Sequence, residues 1–151
     1  MICNNIGINA KGHLTFAGQD TTELAAQYGT PLYLIDENKI REKMSTYVKA
    51  MKENFGEDAL PLYASKALCF KKIYKIANEE HMGVDAVSPG EIYTALQAGF
   101  PMEKVYFHGN DKTDADIEFA IENRIGYFIC DNLDELDAID EIAGKHGIRQ
   151  K

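Results

Sequence analysis

The chain has no run near the roughly 18 apolar residues of a membrane-spanning helix, no excess of basic residues, and only three cysteines. Each absence removes a class of function. Without a long apolar run, no membrane span is expected. Sixteen Lys and Arg against 24 Asp and Glu give a formal charge of −8 and a pI near 5.0. An acidic chain without a basic stripe argues against nucleic acid, and against an anionic membrane surface, as partners. Cys3, Cys69 and Cys130 are far apart, odd in number and form no Cys-x-x-Cys. They suggest neither a disulfide framework nor a zinc site, and read as reduced cytosolic thiols. His13, His81, His108 and His146 show no ligand spacing, so no metal is expected. Residues 1–10 hold no basic region followed by an apolar core, so a secretory signal is not expected there and a cytoplasmic location is. A glycine-rich phosphate loop, a nucleophile elbow and a His-Glu-x-x-His helix are also missing.

What is present is the composition of a soluble globular domain, 45% hydrophobic and 26% charged over 151 residues, long enough to bury a core. From Leu60 onward an apolar run and an amphipathic segment alternate. Leu62-Tyr63-Ala64 reads as a strand, and residues 70–80 as a helix with Phe70, Ile73, Tyr74 and Ala77 on one face. Strands over 83–87, 105–108 and 126–130 alternate with helices over 89–98, 114–122 and 133–143. Strands recurring about every 20 residues between helices predict βα units and a parallel sheet.

The helix boundaries carry chemical marks. Ser88-Pro89-Gly90-Glu91 has the form of a capping box with proline at the first helical position. Residues 113–116 form a weaker version, Asn132 begins another helix, and Gly99 and Gly144 suit C-terminal stops. Ahead of these units, Ile40, Met44, Tyr47, Val48 and Met51 follow helical spacing over 37–54. Gly29-Thr30-Pro31 reads as a turn into the apolar run Leu32-Tyr33-Leu34-Ile35, and residues 13–16 as a short strand. This arm lacks the βα rhythm and is expected to belong to another structural layer. The expected fold class is therefore α/β: a partial (β/α)8 TIM-type barrel of about four βα units, preceded by an N-terminal arm. A closed barrel needs eight units in about 250 residues, so an N-terminal piece of a longer protein is expected.

In a βα barrel, functional side chains gather at the C-terminal ends of the strands. The candidates there are Lys66, Asp85 and Ser88, His108 and Asn110, and Asp131 and Asn132. Lys66 attracts attention because a neutral amine condenses with an aldehyde, and pyridoxal phosphate is the aldehyde most used in amino-acid chemistry. By position alone such a lysine is most often a solvated turn residue. Asp85 interrupts an apolar strand; it either faces the surface or seeks a partner, with Lys66 available. Ser88 and Glu91 are explained as a helix cap, and the polar residues after 107 and 130 as turns before helix starts.

A resemblance extends this reading. Tyr63-Ala64-Ser65-Lys66-Ala67 resembles the Tyr-Ala-x-Lys-Ala motif of the alanine-racemase-like, fold-type III pyridoxal phosphate decarboxylases. That family has an aspartate 19 positions after its lysine and a glutamate six positions later, as Lys66, Asp85 and Glu91 do here. Tyr28-Gly29-Thr30-Pro31-Leu32-Tyr33, Asp85-Ala86-Val87-Ser88-Pro89-Gly90-Glu91, Ala98-Gly99-Phe100 and Phe107-His108-Gly109-Asn110-Asp111-Lys112 are most similar to the branch that decarboxylates meso-diaminopimelate to L-lysine and carbon dioxide. Pro89 stands where the family often has glycine, a change suited to a helix start.

The resemblance implies pyridoxal 5′-phosphate as cofactor, Lys66 as the catalytic Schiff-base lysine, and Lys66, Ala64 and Asp85 as cofactor-binding residues. It implies an amino-acid substrate, a homodimer in the full-length protein, residues 1–35 as an arm contributing the first strand of a β-domain, and residues 36–151 as the first half of the barrel. Related decarboxylases acting on arginine or ornithine remain open. So does a non-catalytic pyridoxal phosphate carrier of the same barrel type, against which the arm over 13–34 argues.

Overall fold

The computed structural model describes residues 3–151. The chain forms two compact units that divide between Lys43 and Met44.

The first unit is built on three short antiparallel strands, β1 (Ile6–Ile8), β2 (Leu14–Phe16) and β3 (Gln19–Asp20), in that order. A two-residue turn at Ala17 and Gly18, both with positive φ (50° and 80°), joins β2 to β3. That is the backbone sign pattern whose twist matches a tight hairpin. Helix α1 (Thr21–Tyr28) follows, capped by the Asp20 carboxylate, which accepts from the Thr22 and Glu23 amides. The strand at 13–16 was expected; β1, β3 and α1 were not. Leu32-Tyr33-Leu34-Ile35 joins no strand or helix. The long helix α2 (Glu37–Phe55) matches the periodicity over 37–54.

The second unit carries the parallel sheet. Strands β4 (Leu62–Ala64), β5 (Gly83–Ala86), β6 (Val105–Phe107) and β7 (Tyr127–Phe128) lie in chain order. They are followed in turn by α3 (Lys71–Glu79), α4 (Pro89–Ala98), α5 (Asp114–Glu122) and α6 (Leu133–Lys145). One face of the sheet, carrying Val84, Ala86, Val105, Phe107 and Phe128, is buried. The helices contribute Ile73, Tyr74, Ile76, Ala77, Ile92, Ala95, Ile117, Ile121 and Ile139 to the same core. Each large aliphatic or aromatic group so buried stabilises the unit by about 1.5–3 kcal/mol relative to exposure. The other face presents the register row Ala64, Asp85, Tyr106 and Tyr127. The two tyrosine rings there stack, 4.4 Å apart and 11° from parallel.

Helix starts follow the marks in the sequence, with two adjustments. Thr113 and Asp116 make the full reciprocal capping box. Ser88 Oγ accepts from the Glu91 amide at 3.3 Å, but the Glu91 side chain does not return to the Ser88 amide and goes elsewhere. At the far end, Gly99 stops α4 in the left-handed conformation, φ 73°. Gly144 does not stop α6, which runs on to Lys145. The positive φ falls instead on Gly147, at 63°, where the chain leaves the helix. From there it runs beside β7, with the Phe128 amide donating to the Lys151 carbonyl at 2.9 Å.

Candidate active site

The C-terminal ends of β4 to β7 form one polar rim. Strand β4 ends at Ala64 and passes into a 3₁₀ turn, Ser65–Ala67. Ser65 points inward and is fully buried, whereas Ala64 and Lys66 are exposed. The Lys66 ammonium makes no hydrogen bond or ion pair with any described residue. Ala64 is the register partner of Asp85 on β5, so a methyl group and a carboxylate lie side by side on the open face, two residues before the lysine. Asp85 is partly exposed; its ionic neighbour is His108, with Nδ1 3.7 Å from Oδ1, rather than Lys66. His108 extends β6 by one residue through its amide, which donates to the Ala86 carbonyl at 2.8 Å.

Beyond β6, Asn110 Nδ2 donates to both carboxylate oxygens of Asp131, at 3.1 and 3.2 Å. Beneath them Lys112 reaches the Gly109 carbonyl at 2.6 Å, the Ile129 carbonyl at 3.2 Å and Glu135 Oε1 at 2.7 Å. The polar residues after β6 and β7 thus tie two adjacent loops together, and Asn132 caps α6 through the Glu135 amide at 2.8 Å.

Behind Lys66 lies a buried layer. The Ser65 hydroxyl donates to the Asp85 carbonyl at 2.9 Å and to Glu91 Oε2, one proton shared between two acceptors. Glu91 Oε2 also accepts from the Val87 amide, and Oε1 from the Ser88 hydroxyl, each at 3.1 Å. The Tyr74 hydroxyl donates to the Glu91 carbonyl at 3.1 Å and lies 3.3 Å from Cys69 Sγ. Burial pushes the Tyr74 phenol well above its ordinary value, as it does, less strongly, the Tyr63 phenol.

Sequence reasoning brought Lys66, Ala64 and Asp85 to this rim but passed over Ser65, Tyr74 and Lys112. The signal for Ser65 was faint: a small polar residue ending an apolar run, 26 residues before a glutamate. As a receptacle for a planar aldehyde, the rim offers an unengaged amine, a small side chain beside it and a carboxylate on the adjacent strand. Those groups fit a pyridoxal cofactor.

The sequence profile of the family described as pyridoxal-dependent decarboxylase, pyridoxal binding domain, matches residues 37–149. The chain belongs to this family. Its cofactor is pyridoxal 5′-phosphate. Two similar relatives are named diaminopimelate decarboxylase. That of Bacillus methanolicus is 46% identical over 142 residues, 94% of this chain and 33% of the relative. That of Halalkalibacterium halodurans is 46% identical over 135 residues, 89% and 30%. A crystal structure of diaminopimelate decarboxylase from M. jannaschii in complex with L-lysine superimposes with a TM-score of 0.84 at 33% identity, over 95% of this chain and 34% of that one. The four βα units are therefore part of the barrel of the fold-type III decarboxylases, as expected from the sequence. The chain spans about a third of the length of the relatives it matches. No helix among the described residues is long and apolar enough to cross a membrane.

Proposed function

We propose that the chain supplies the cofactor-lysine side of a pyridoxal phosphate-dependent enzyme that decarboxylates meso-diaminopimelate to L-lysine. The observation that carries this reading is the unengaged Lys66 amine at the end of β4, next to the Ala64–Asp85 register pair. Lys66 is read as the residue that holds the cofactor covalently. When bound, pyridoxal phosphate supplies an electron sink for the pair left behind as the carboxylate departs.

The chain's own residues prepare that event. The methyl side chain of Ala64 leaves room over the open face of the sheet. The Asp85 carboxylate presents a negative charge that orients a cationic nitrogen, and His108 stands 3.7 Å behind it. Lys66 can carry a proton to or from the substrate once its amine is released. The relatives' names and the L-lysine bound to the M. jannaschii protein favour diaminopimelate as substrate over arginine or ornithine.

The remaining parts of the reading follow the family resemblance. Residues 1–35 are taken as the arm contributing the first strand of a β-domain, and residues 36–151 as the first half of the barrel. The full-length protein is taken to be a cytoplasmic homodimer with an amino-acid substrate and neither nucleic acid nor membrane as a partner.

Borohydride reduction of the full-length protein loaded with pyridoxal phosphate, followed by peptide mapping, tests the central assignment. The label is expected on the Lys66 peptide. A label on any other lysine overturns it. Carbon dioxide release from meso-diaminopimelate, L-ornithine and L-arginine, assayed side by side, tests the substrate.

A further inference from the structure

We propose that Ser65 is a positioning residue for Lys66, and that Glu91 acts through it. The inference rests on Lys66 being the cofactor lysine. A 3₁₀ turn has few internal hydrogen bonds of good geometry. The one after β4 is closed by the Leu68 amide donating to the Ser65 carbonyl at 3.1 Å. Its orientation is therefore set by what it is anchored to. Ser65 is the anchor: it is fully buried, and its hydroxyl binds both the Asp85 carbonyl on β5 and the Glu91 carboxylate at the start of α4.

The conduct of Glu91 is what separates this from ordinary helix capping. A capping-box glutamate returns to the backbone amide of its own cap residue. Glu91, only 8% exposed, instead takes its donors from Ser65, from the Val87 amide and from the Ser88 hydroxyl. One carboxylate thereby joins the turn after β4, the end of β5 and the first turn of α4, where the helix N-terminus favours negative charge. Tyr74 of α3 fixes the Glu91 carbonyl from the other side. No buried side-chain nitrogen or oxygen among the described residues lacks a partner. The network is closed, and Lys66 is the next residue out of it. Fixing Ser65 fixes the direction in which the Lys66 side chain leaves the backbone. Asp85 is gripped by the same hydroxyl through its carbonyl, so the lysine and the carboxylate are set relative to each other by one group.

A purely structural Ser65 would lower stability and leave cofactor chemistry alone; a positioning Ser65 changes both. The test uses the full-length protein with Ser65→Ala, Ser65→Thr, Glu91→Gln and the Ser65→Ala/Glu91→Gln pair. The readouts are the cofactor's visible absorption band across pH, its dissociation constant, the rate of borohydride trapping, melting temperature, and kcat with KM.

Ser65→Ala is expected to shift the absorption band, slow trapping and lower kcat by tenfold or more, towards the roughly 10²-fold cost of an ångström-scale misplacement, with KM within about twofold. Ser65→Thr, which keeps the hydroxyl, is expected to restore most of the loss. The double variant is expected to fall short of the product of the single effects, because both act through one bond. Should Ser65→Ala not fold, Ser65→Cys, near in size and a much weaker donor, is read in its place. The inference is overturned if these variants lower only the melting temperature while band, trapping rate and kcat stay at wild-type values. A wild-type label away from Lys66 overturns the parent reading and this one with it. A wild-type label on Lys66 with unperturbed variants overturns this inference alone.

Discussion

Lys112 and Glu135 form an ion pair of 2.7 Å, with side chains only 2% and 5% exposed. Lys112 lies in the loop before α5 and Glu135 in the first turn of α6. The ammonium has three N–H bonds and three acceptors, Glu135 and the carbonyls of Gly109 and Ile129. The pair locks two neighbouring rim loops at a depth where an unpaired charge is costly. Replacing one partner, as in Lys112→Met or Glu135→Gln, is expected to destabilise the full-length protein by about 3–5 kcal/mol. Replacing both with apolar residues of similar volume is expected to cost less than either single change. Chemical denaturation of the three variants checks the order.

Gly126 is a steric necessity. A Cβ built there would lie 2.1 Å from the Glu103 carbonyl oxygen, a backbone atom that cannot swing aside. Gly126→Ala is expected to lower stability by about 3 kcal/mol through overpacking and to reduce soluble yield. Gly144→Ala, where a Cβ meets nothing within 4 Å, is expected to be neutral or slightly stabilising, because that position is helical. Thermal melts of both variants in parallel provide the comparison.

Acid sensitivity of the N-terminal unit is expected to centre on Asp20. The Thr22 hydroxyl is the chief influence holding this carboxyl well below the usual carboxylate range; His13, Asn9 and the Thr22 amide assist it. A depressed carboxyl pKa contributes stability that is fully present above the unfolded aspartate value, about 3.9, and lost as pH falls through the folded value. Protection of the β1–β2 amides against hydrogen exchange is therefore expected to hold from neutrality down to about pH 4 and to decline only below it. Asp20→Asn should flatten that acid limb.

Lys66 is exposed and bonded to no described side chain, so its removal separates chemistry from folding. Lys66→Ala is expected to abolish decarboxylation and the borohydride-stable label. Its unfolding free energy, measured with variant and wild type both free of cofactor, should stay within about 0.5 kcal/mol of wild type. A comparable fall in stability would instead place the lysine in the scaffold.

The barrel units were legible because their signals are local and redundant. In α4, Ser88, Pro89 and Gly99 mark a start and a stop, and the structure follows them to the residue. In β5, a short apolar run between turn residues is enough to identify a strand buried on one face. The arm was less legible: β1 to β3 are two or three residues long and bury no residue fully, too short for a period-2 pattern to register. The partners of Glu91 and Lys112 were illegible for a different reason. Both residues stand where polar side chains are ordinary, at a helix start and in a loop. Only the tertiary fold brings them against Ser65 and Glu135, 26 and 23 residues away.

The paired rings of Tyr106 and Tyr127 give this segment an optical label of its own. Chromophores stacked at 4.4 Å and 11° couple their transitions, so their near-ultraviolet circular dichroism differs from that of isolated tyrosines. The segment contains no tryptophan to mask that signal. Because the two rings belong to neighbouring strands, the coupling vanishes as soon as β6 and β7 part, which makes it a built-in gauge of whether the sheet behind Lys66 is closed.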